Sequence, residues 1–355
     1  MDTIVKLAKD LIAIPSTKEN PQALKDVLER ALQEVSEYTI ERFEKNGVPS
    51  ALVYSGTTRP KRFKIILNAH LDVVPGREEQ YKPFEKDGKL YGRGTDDMKA
   101  AAAVEILVFK ELAKRVTYPL GLQLVTDEEV GGFNAAKHQA EQGVLCDFMI
   151  AGEPTSFGVN NKAKGIVWAK VTATGKTAHG AYPWNGESAV WKLTQFLNNL
   201  QQTYPVPKHE VWQTTVNVAR VTTENQTMNK VPDKAEAGLD VRYIPEDSET
   251  IIASLNKLLV LGTALDIQLK EPSQFTDEKN NFVVKLREAT QQVTGTLSEV
   301  IVKHGGSDVR HYNAAGCDGV TFGPIGAGLH TDEEWVDIQS LNTYLEILKK
   351  FLMAI

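Results

Sequence analysis

Four short apolar runs in this chain stop abruptly at polar residues, and the segments between them have helical spacing. Residues 63–67 run into His70 and Asp72, Leu120–Val125 into Asp127, Glu128 and Glu129, residues 148–151 into Glu153, and residues 319–322 through a glycine-bearing stretch to His330. An alanine-rich helical pattern fills 97–114 and a second fills 134–142. Apolar runs too short for buried helices, alternating with helical segments, predict a mainly parallel sheet with helices on both faces. Ahead of them, residues 2–35 have amphipathic helical spacing, broken near Pro15–Ser16 and again at Pro21, which suits a helix start.

The texture changes near residue 163. Residues 166–174, 214–222, 235–243 and 264–270 read as strands and 187–201 and 248–260 as helices, the β-α-β-β-α-β order of a split βαβ sandwich. From about 272 a helix (280–290) and apolar strands resume the first style. At 355 residues the chain exceeds what one hydrophobic core usually supports. The expected organisation is therefore a discontinuous α/β domain (1–163 and 272–355) interrupted by an inserted domain (164–271).

In an open parallel sheet, functional side chains gather beyond the carboxyl ends of the strands. The polar clusters fall there. Taken singly they are unremarkable: Asp96 or Asp97 could cap the helix that follows, Glu153 before Pro154 could be a turn residue, and a lone His330 would be a surface or core histidine. Taken together they put two histidines and several acids in one place. Converging carboxylates raise one another's pKa unless cations hold them ionised. Imidazole and carboxylate without cysteine suits zinc, or cobalt or manganese, and the set is large enough for two ions sharing a bridging acid. One acid of the Glu128/Glu129 pair is then spare to act as general base.

Other classes are excluded by the same sequence. A net charge of −6 gives no basic footprint for nucleic acid or an anionic membrane, and no apolar run approaches the ~20 residues of a membrane span. The glycines 323, 326 and 328 lack the strand–helix context of a nucleotide loop. Two cysteines, Cys146 and Cys317, with no basic-then-apolar leader pattern, imply no structural disulfide and a cytoplasmic location.

Eight segments, HLDVVP (70–75), YGRGTDDMKAA (91–101), TDEEVGG (126–132), GEPT (152–155), GKTAHGAYPWNGESA (175–189), NKVPDKAEAGLDVRYIP (229–245), GGSDVR (305–310) and GPIGAGLHTDEEWVDI (323–338), occur in the order in which similar segments occur in one family. The chain resembles the M20 peptidase family, dinuclear-zinc amidohydrolases and peptidases of the acetylornithine deacetylase and succinyl-diaminopimelate desuccinylase type. The resemblance implies a zinc-peptidase-like catalytic domain and a ferredoxin-like lid or dimerisation domain. By position, His70 and Glu153 resemble ligands of one ion, Glu129 and His330 ligands of the other, and Asp97 the bridging carboxylate; Asp96 stands where the family varies. Glu128 resembles the general base, and Asp72 the acid that orients the His70 ring. His179 resembles the histidine that reaches the active site of the partner subunit in a homodimer and stabilises the oxyanion. Asn229 and Arg242, and the loop of Gly305, Gly306 and Ser307, resemble substrate contacts, Arg242 by pairing with a carboxylate.

What the resemblance implies is hydrolysis of the amide bond of a small N-acyl amino acid, acetylornithine-like or succinyl-diaminopimelate-like, by water activated at the metal pair. The alternative within the family is a dipeptidase or carboxypeptidase acting on short peptides. A metal-binding protein without catalysis is the reading from another class, and the presence of Glu128 and every ligand argues against it.

Overall fold

A computed structural model describes residues 2–355, and the chain divides into two compact units. The first comprises the chain up to Lys162 with Phe275–Val302 and Ser307–Ile355; the second comprises Ala163–Gln274 with Lys303–Gly306. Among the described residues no helix is long and apolar enough to cross a membrane.

In the first unit the strands Leu120–Val125, Phe63–His70, Cys146–Ala151 and Asp318–Thr321 lie side by side, all parallel. The hairpin of Thr39–Lys45 and Val48–Tyr54 adds antiparallel strands at one edge, and on the opposite side of the parallel set Thr321 pairs antiparallel with Asn160. Both faces are covered. Ile65, Leu67 and Ala69 enter one apolar cluster with Phe148 and Ile150, while Ile66 enters a second with Met149 and Ala151. Two-sided burial is why these strands read as continuous apolar runs rather than as alternating ones.

The helix Lys99–Leu112 is buried nearly all round, which explains its unbroken alanines: it packs on the sheet and against the helices Asp2–Ile12 and Ile338–Met353. Pro21 opens the helix Pro21–Gln33, and the Asn20 side chain accepts from Ala23 N. Within the second apolar face runs a chain of buried amides. Asn68 Nδ2 donates to Gln123 Oε1 (2.9 Å), and Gln123 Nε2 donates to Gln139 Oε1 (2.9 Å) and to the Tyr312 hydroxyl (2.7 Å). Gln139 Nε2 donates in turn to Ser50 Oγ (2.9 Å). Cys146 and Cys317 are both buried free thiols, and Cys146 N donates to Cys317 Sγ at 3.4 Å.

The structure also contains elements that the sequence reading does not include. A small antiparallel sheet joins Phe84–Lys86, Lys89–Tyr91, Trp335–Asp337 and Gly326–Ala327. Strands of two or three residues are too short to display a period of two. The helices Val309–Ala314 and Ile338–Met353 complete the unit.

The second unit is an antiparallel sheet in the order Thr215–Thr223, Lys234–Tyr243, Gly165–Thr174, Thr263–Glu271. The helix Ala189–Thr203 packs on it, and a shorter helix spans Ile251–Asn256. Lys234–Tyr243 alternates buried and half-buried residues, as a sheet with one covered face requires. The edge strand Thr215–Thr223 is exposed over most of its length.

Candidate metal centre

The donors of the first unit sit where chain leaves the sheet. His70 ends its strand and stands in register with Val125, the last residue before Thr126 and the acid triplet. Glu153 lies two residues beyond Ala151, which is paired with Asn68 of the His70 strand. Asp97 occupies the turn leading into Lys99–Leu112, and the Asp97–Met98 peptide is cis. His330 lies on the loop between two short strands of the small sheet, at φ +61°.

The proton positions follow from the partners. His70 Nδ1 lies 3.0 Å from the Asp72 carbonyl oxygen, which can only accept, so Nδ1 carries hydrogen. Its Nε2 then faces Asp97 Oδ1 at 2.8 Å and Glu153 Oε1 at 3.7 Å. A neutral ring would turn its lone pair on carboxylate oxygens, an arrangement that needs a proton or a cation between them. The other histidine repeats the problem: His330 Nε2 lies 3.2 Å from Asp97 Oδ2 and 3.1 Å from Glu129 Oε2, and Glu129 Oε1 is buried with no hydrogen-bond partner. Donor atoms of His70, Glu128 and Glu153, and likewise those of Asp97, Glu129 and His330, lie within 4.8 Å of one another. The two oxygens of Asp97 face different histidines. Two nitrogen–oxygen donor groups joined by one carboxylate fit a pair of divalent cations without rearrangement.

The electrostatics carry the same signature. Burial, then the charge of Glu153, pushes the Glu128 carboxyl well above its ordinary range; burial and then Asp97 raise Glu129. For Asp97 burial acts upward too, but His330 and His70 outweigh it and hold the group below its ordinary value. Burial would lower the His70 imidazolium, and Asp97, Glu153 and Asp72 reverse that and lift it well above. Acids driven apart in pKa at one spot are what a site built for cations looks like when protons balance the charge.

The three consecutive acids have three different surroundings. Asp127 is buried and accepts the amides of Asn134 (2.7 Å) and Ala135 (3.2 Å), bracing the turn that precedes Ala136–Glu141. Glu128 and Glu129 are half-buried, and their own amides donate to Asp72 Oδ1 (3.2 Å) and Oδ2 (3.0 Å). The Asp72 carboxylate, raised to about 7 by burial, thus clasps the acid turn and stays 3.7 Å from His70 Nδ1. The ring hydrogen-bonds the Asp72 backbone carbonyl, and the Asp72 side chain, expected to orient the ring, lies within ion-pair distance of the same nitrogen. Gly132, at φ +65°, must be glycine: a Cβ there would sit 2.1 Å from Asp308 Oδ1. Arg310 Nη2 donates to Gly131 O (2.7 Å), so the SDVR segment buttresses this turn.

The remaining expected residues divide between the units. Ser307, in the first, is buried and its Oγ accepts from Val309 N (3.3 Å). Gly305 and Gly306 belong to the second, and a Cβ on Gly305 would meet nothing within 4 Å. Within the second unit His179 and Asn229 are exposed neighbours, since His179 bridges to Lys230 and Gly180 N donates to Asn229 O (2.7 Å). His179 Nδ1 accepts from Ala181 N (3.1 Å), which places the ring proton on Nε2 and leaves that N–H directed elsewhere. Arg242 is already engaged by both oxygens of Asp240, at 2.9 and 3.2 Å.

Residues 66–354 match the profile of peptidase family M20/M25/M40. The chain belongs to the M20 family. Over 386 residues it is 26% identical to the succinyl-diaminopimelate desuccinylase of Caulobacter sp. (strain K31), covering 99% of this chain and 96% of that one. Over 390 residues it is 27% identical to a protein of Emericella nidulans named a probable carboxypeptidase, with 99% and 89% covered. In fold it is similar to the YXEP protein of Bacillus subtilis, a dinuclear metal binding peptidase (TM-score 0.74, 16% identity, 99% and 97% covered). The M20 chain is thus a hydrolase of amide bonds whose architecture is that of the family. Two residues outside the sequence expectation, Arg93 and Glu334, also bear on the site, and both lie inside matched segments.

Proposed function

We propose that the chain hydrolyses N-acyl amino acids, with two divalent cations held by His70, Asp97, Glu129, Glu153 and His330 and with Glu128 as general base. The observation that carries this reading is the junction at Asp97, where one carboxylate faces two histidines and Glu128 stands beside the His70 donor group. When bound, the cations would polarise the amide carbonyl and lower the pKa of the attacking water; zinc suits this donor set best, with cobalt and manganese next.

The chain's own groups do the rest. Glu128 takes the proton of the attacking water and returns it to the departing amine, and the anchoring of its amide by Asp72 fixes where that transfer occurs. Asp72 therefore acts by holding base and ligand in one turn. The Nε2–H of His179 donates to the developing oxyanion in the active site of the partner subunit, which requires a homodimer. The exposed edge strand Thr215–Thr223 and the exposed Trp184 and Trp191 of the second unit support that assembly. The inserted unit then serves as lid and dimerisation domain. Asn229, Gly305, Gly306 and Ser307 contact the substrate, and Arg242 takes its carboxylate by sharing or exchanging Asp240.

The name and near-complete coverage of the Caulobacter relative support an acyl amino acid; the Emericella relative, at 27% identity, supports short peptides as the second reading. A panel of N-succinyl-diaminopimelate, N-acetylornithine, other N-acetyl amino acids and dipeptides, assayed with zinc and with Glu128→Gln as blank, decides between them. One acyl amino acid standing at least 100-fold above the dipeptides in kcat/KM is expected. The reverse ranking would make the enzyme a peptidase.

A further inference from the structure

We infer that Glu334 is a positioning residue that fixes the spacing between the loops carrying Asp97 and His330, and thereby sets the affinity of the Asp97–Glu129–His330 group for its cation. The inference rests on the reading of that group as a cation site.

Glu334 lies four residues after His330 and is buried. One carboxylate oxygen, Oε1, accepts two consecutive backbone amides, Asp96 N at 2.9 Å and Asp97 N at 3.1 Å. The other, Oε2, accepts from Arg93 Nη1 at 2.7 Å, with the two side chains only 3% and 1% exposed. The Glu334 carbonyl also accepts from Gly92 N (3.2 Å), and Gln80 Nε2 donates to Thr331 O (3.1 Å) while Gln80 O accepts from Arg93 N (2.9 Å). Residues 92–97 are thus stitched to Glu334, and Gln80 links Arg93 to Thr331. A single carboxylate holds the backbone of the shared ligand from a point one helical turn's worth of residues past the terminal ligand.

A buried ion pair on its own says little about why it is there, because desolvation offsets most of its Coulomb energy. The amides decide. They belong to Asp97 itself and its neighbour, and residues that orient ligands control metal affinity through such bonds. His70 has no need of this help, being the buried last residue of a central strand. His330 sits on a loop at positive φ with its side chain 45% exposed, so its distance from Asp97 is not set by the central sheet.

The test is cobalt(II) titration of metal-stripped protein, read by absorption and by competition with a chelator, with thermal melting of the stripped protein as a check on folding. The variants are E334L and the charge swap R93E/E334R. Neither leucine nor arginine at position 334 gives the two amides an acceptor, since a guanidinium only donates, and the swap keeps an ion pair. Expected are two bound cobalt ions in the parent chain, and in E334L one unchanged site and one weakened by roughly 10–100-fold. The swap should leave that second site as weak or weaker. Equal weakening of both sites, two unchanged sites in E334L, or recovery in the swap would overturn the role; E334L decides alone if the swap does not fold. A parent chain that binds no second cobalt would instead defeat the underlying cation reading.

Discussion

His70 and His330 reach the same carboxylate by opposite means. His70 is delivered by a strand in the middle of the sheet, fully enclosed, its ring locked by a backbone carbonyl. His330 is delivered by a loop of a small peripheral sheet, half-exposed, and its relation to Asp97 depends on hydrogen bonds between segments more than 230 residues apart in sequence. Ordinary sheet packing builds one half of the centre; the other half is built by buried polar contacts. The first half is expected to be stiff and to keep its cation. The second is expected to be adjustable and to lose its cation first.

The largest effect should come from removing what the halves share. Asp97→Ala is expected to abolish cation binding at both and to lower kcat/KM by about 10⁴-fold, the several kcal/mol that a Lewis acid supplies. Elemental analysis showing one cation retained would split the halves more sharply than the geometry does. Glu128→Gln should lower kcat by about 10³-fold while both cations stay. Loss of the cation on the His70 side would make Glu128 a ligand, not the base.

Stability should separate the histidines next. In metal-stripped protein, His70→Ala empties a buried site facing Asp97 and Glu153 and is expected to destabilise by about 2–4 kcal/mol; His330→Ala should remain within about 1 kcal/mol. Urea denaturation measures both, and equal losses would break the comparison.

The smallest effect concerns Glu105, buried beneath the His70 half. A Cβ at Gly152 would touch it, and it accepts from the Tyr344 hydroxyl at 2.8 Å. Burial lifts its pKa well above the ordinary 4.5. A carboxyl whose folded pKa is raised contributes stability that is complete below its unfolded pKa and lost as pH climbs to the folded one. Glutamine does not titrate. Glu105→Gln should therefore leave Tm nearly unchanged at pH 4 and raise it progressively toward pH 8, by about 1 kcal/mol of stability. A pH-independent shift would mean that packing and not charge governs the site.

The strand ends were readable in the sequence because two-sided burial writes an unbroken apolar run, and the run must stop where polar chemistry begins. The order of elements in the inserted unit was readable from its strand-like and helical segments. Other features leave no local trace. The tether from Glu334 to the Asp97 amide spans 237 positions, so neither end carries a spacing that announces the other. The helix Ile338–Met353 does carry one, with Leu341, Tyr344, Ile347, Leu348 and Phe351 all buried, but the sequence reading ends its elements at residue 322. Asp72 illustrates a third limit. Its residue type and place beside His70 point to the site, yet that its carboxylate grips the turn of Glu128 and Glu129 is a matter of side-chain direction.

The amide chain from Asn68 through Gln123 and Gln139 to Ser50 has a consequence for how the chain recognises its own correct alignment. Asn68 stands directly across from Gln123, two places before His70 meets Val125. A slip of one residue between these strands would turn Asn68 into the apolar layer that holds Leu67 and Ala69 and leave several buried amides without partners. Only the native alignment satisfies the whole chain at once. Polar groups far below the catalytic surface therefore act as the ruler by which the strand tips, and with them the donor atoms, are brought level.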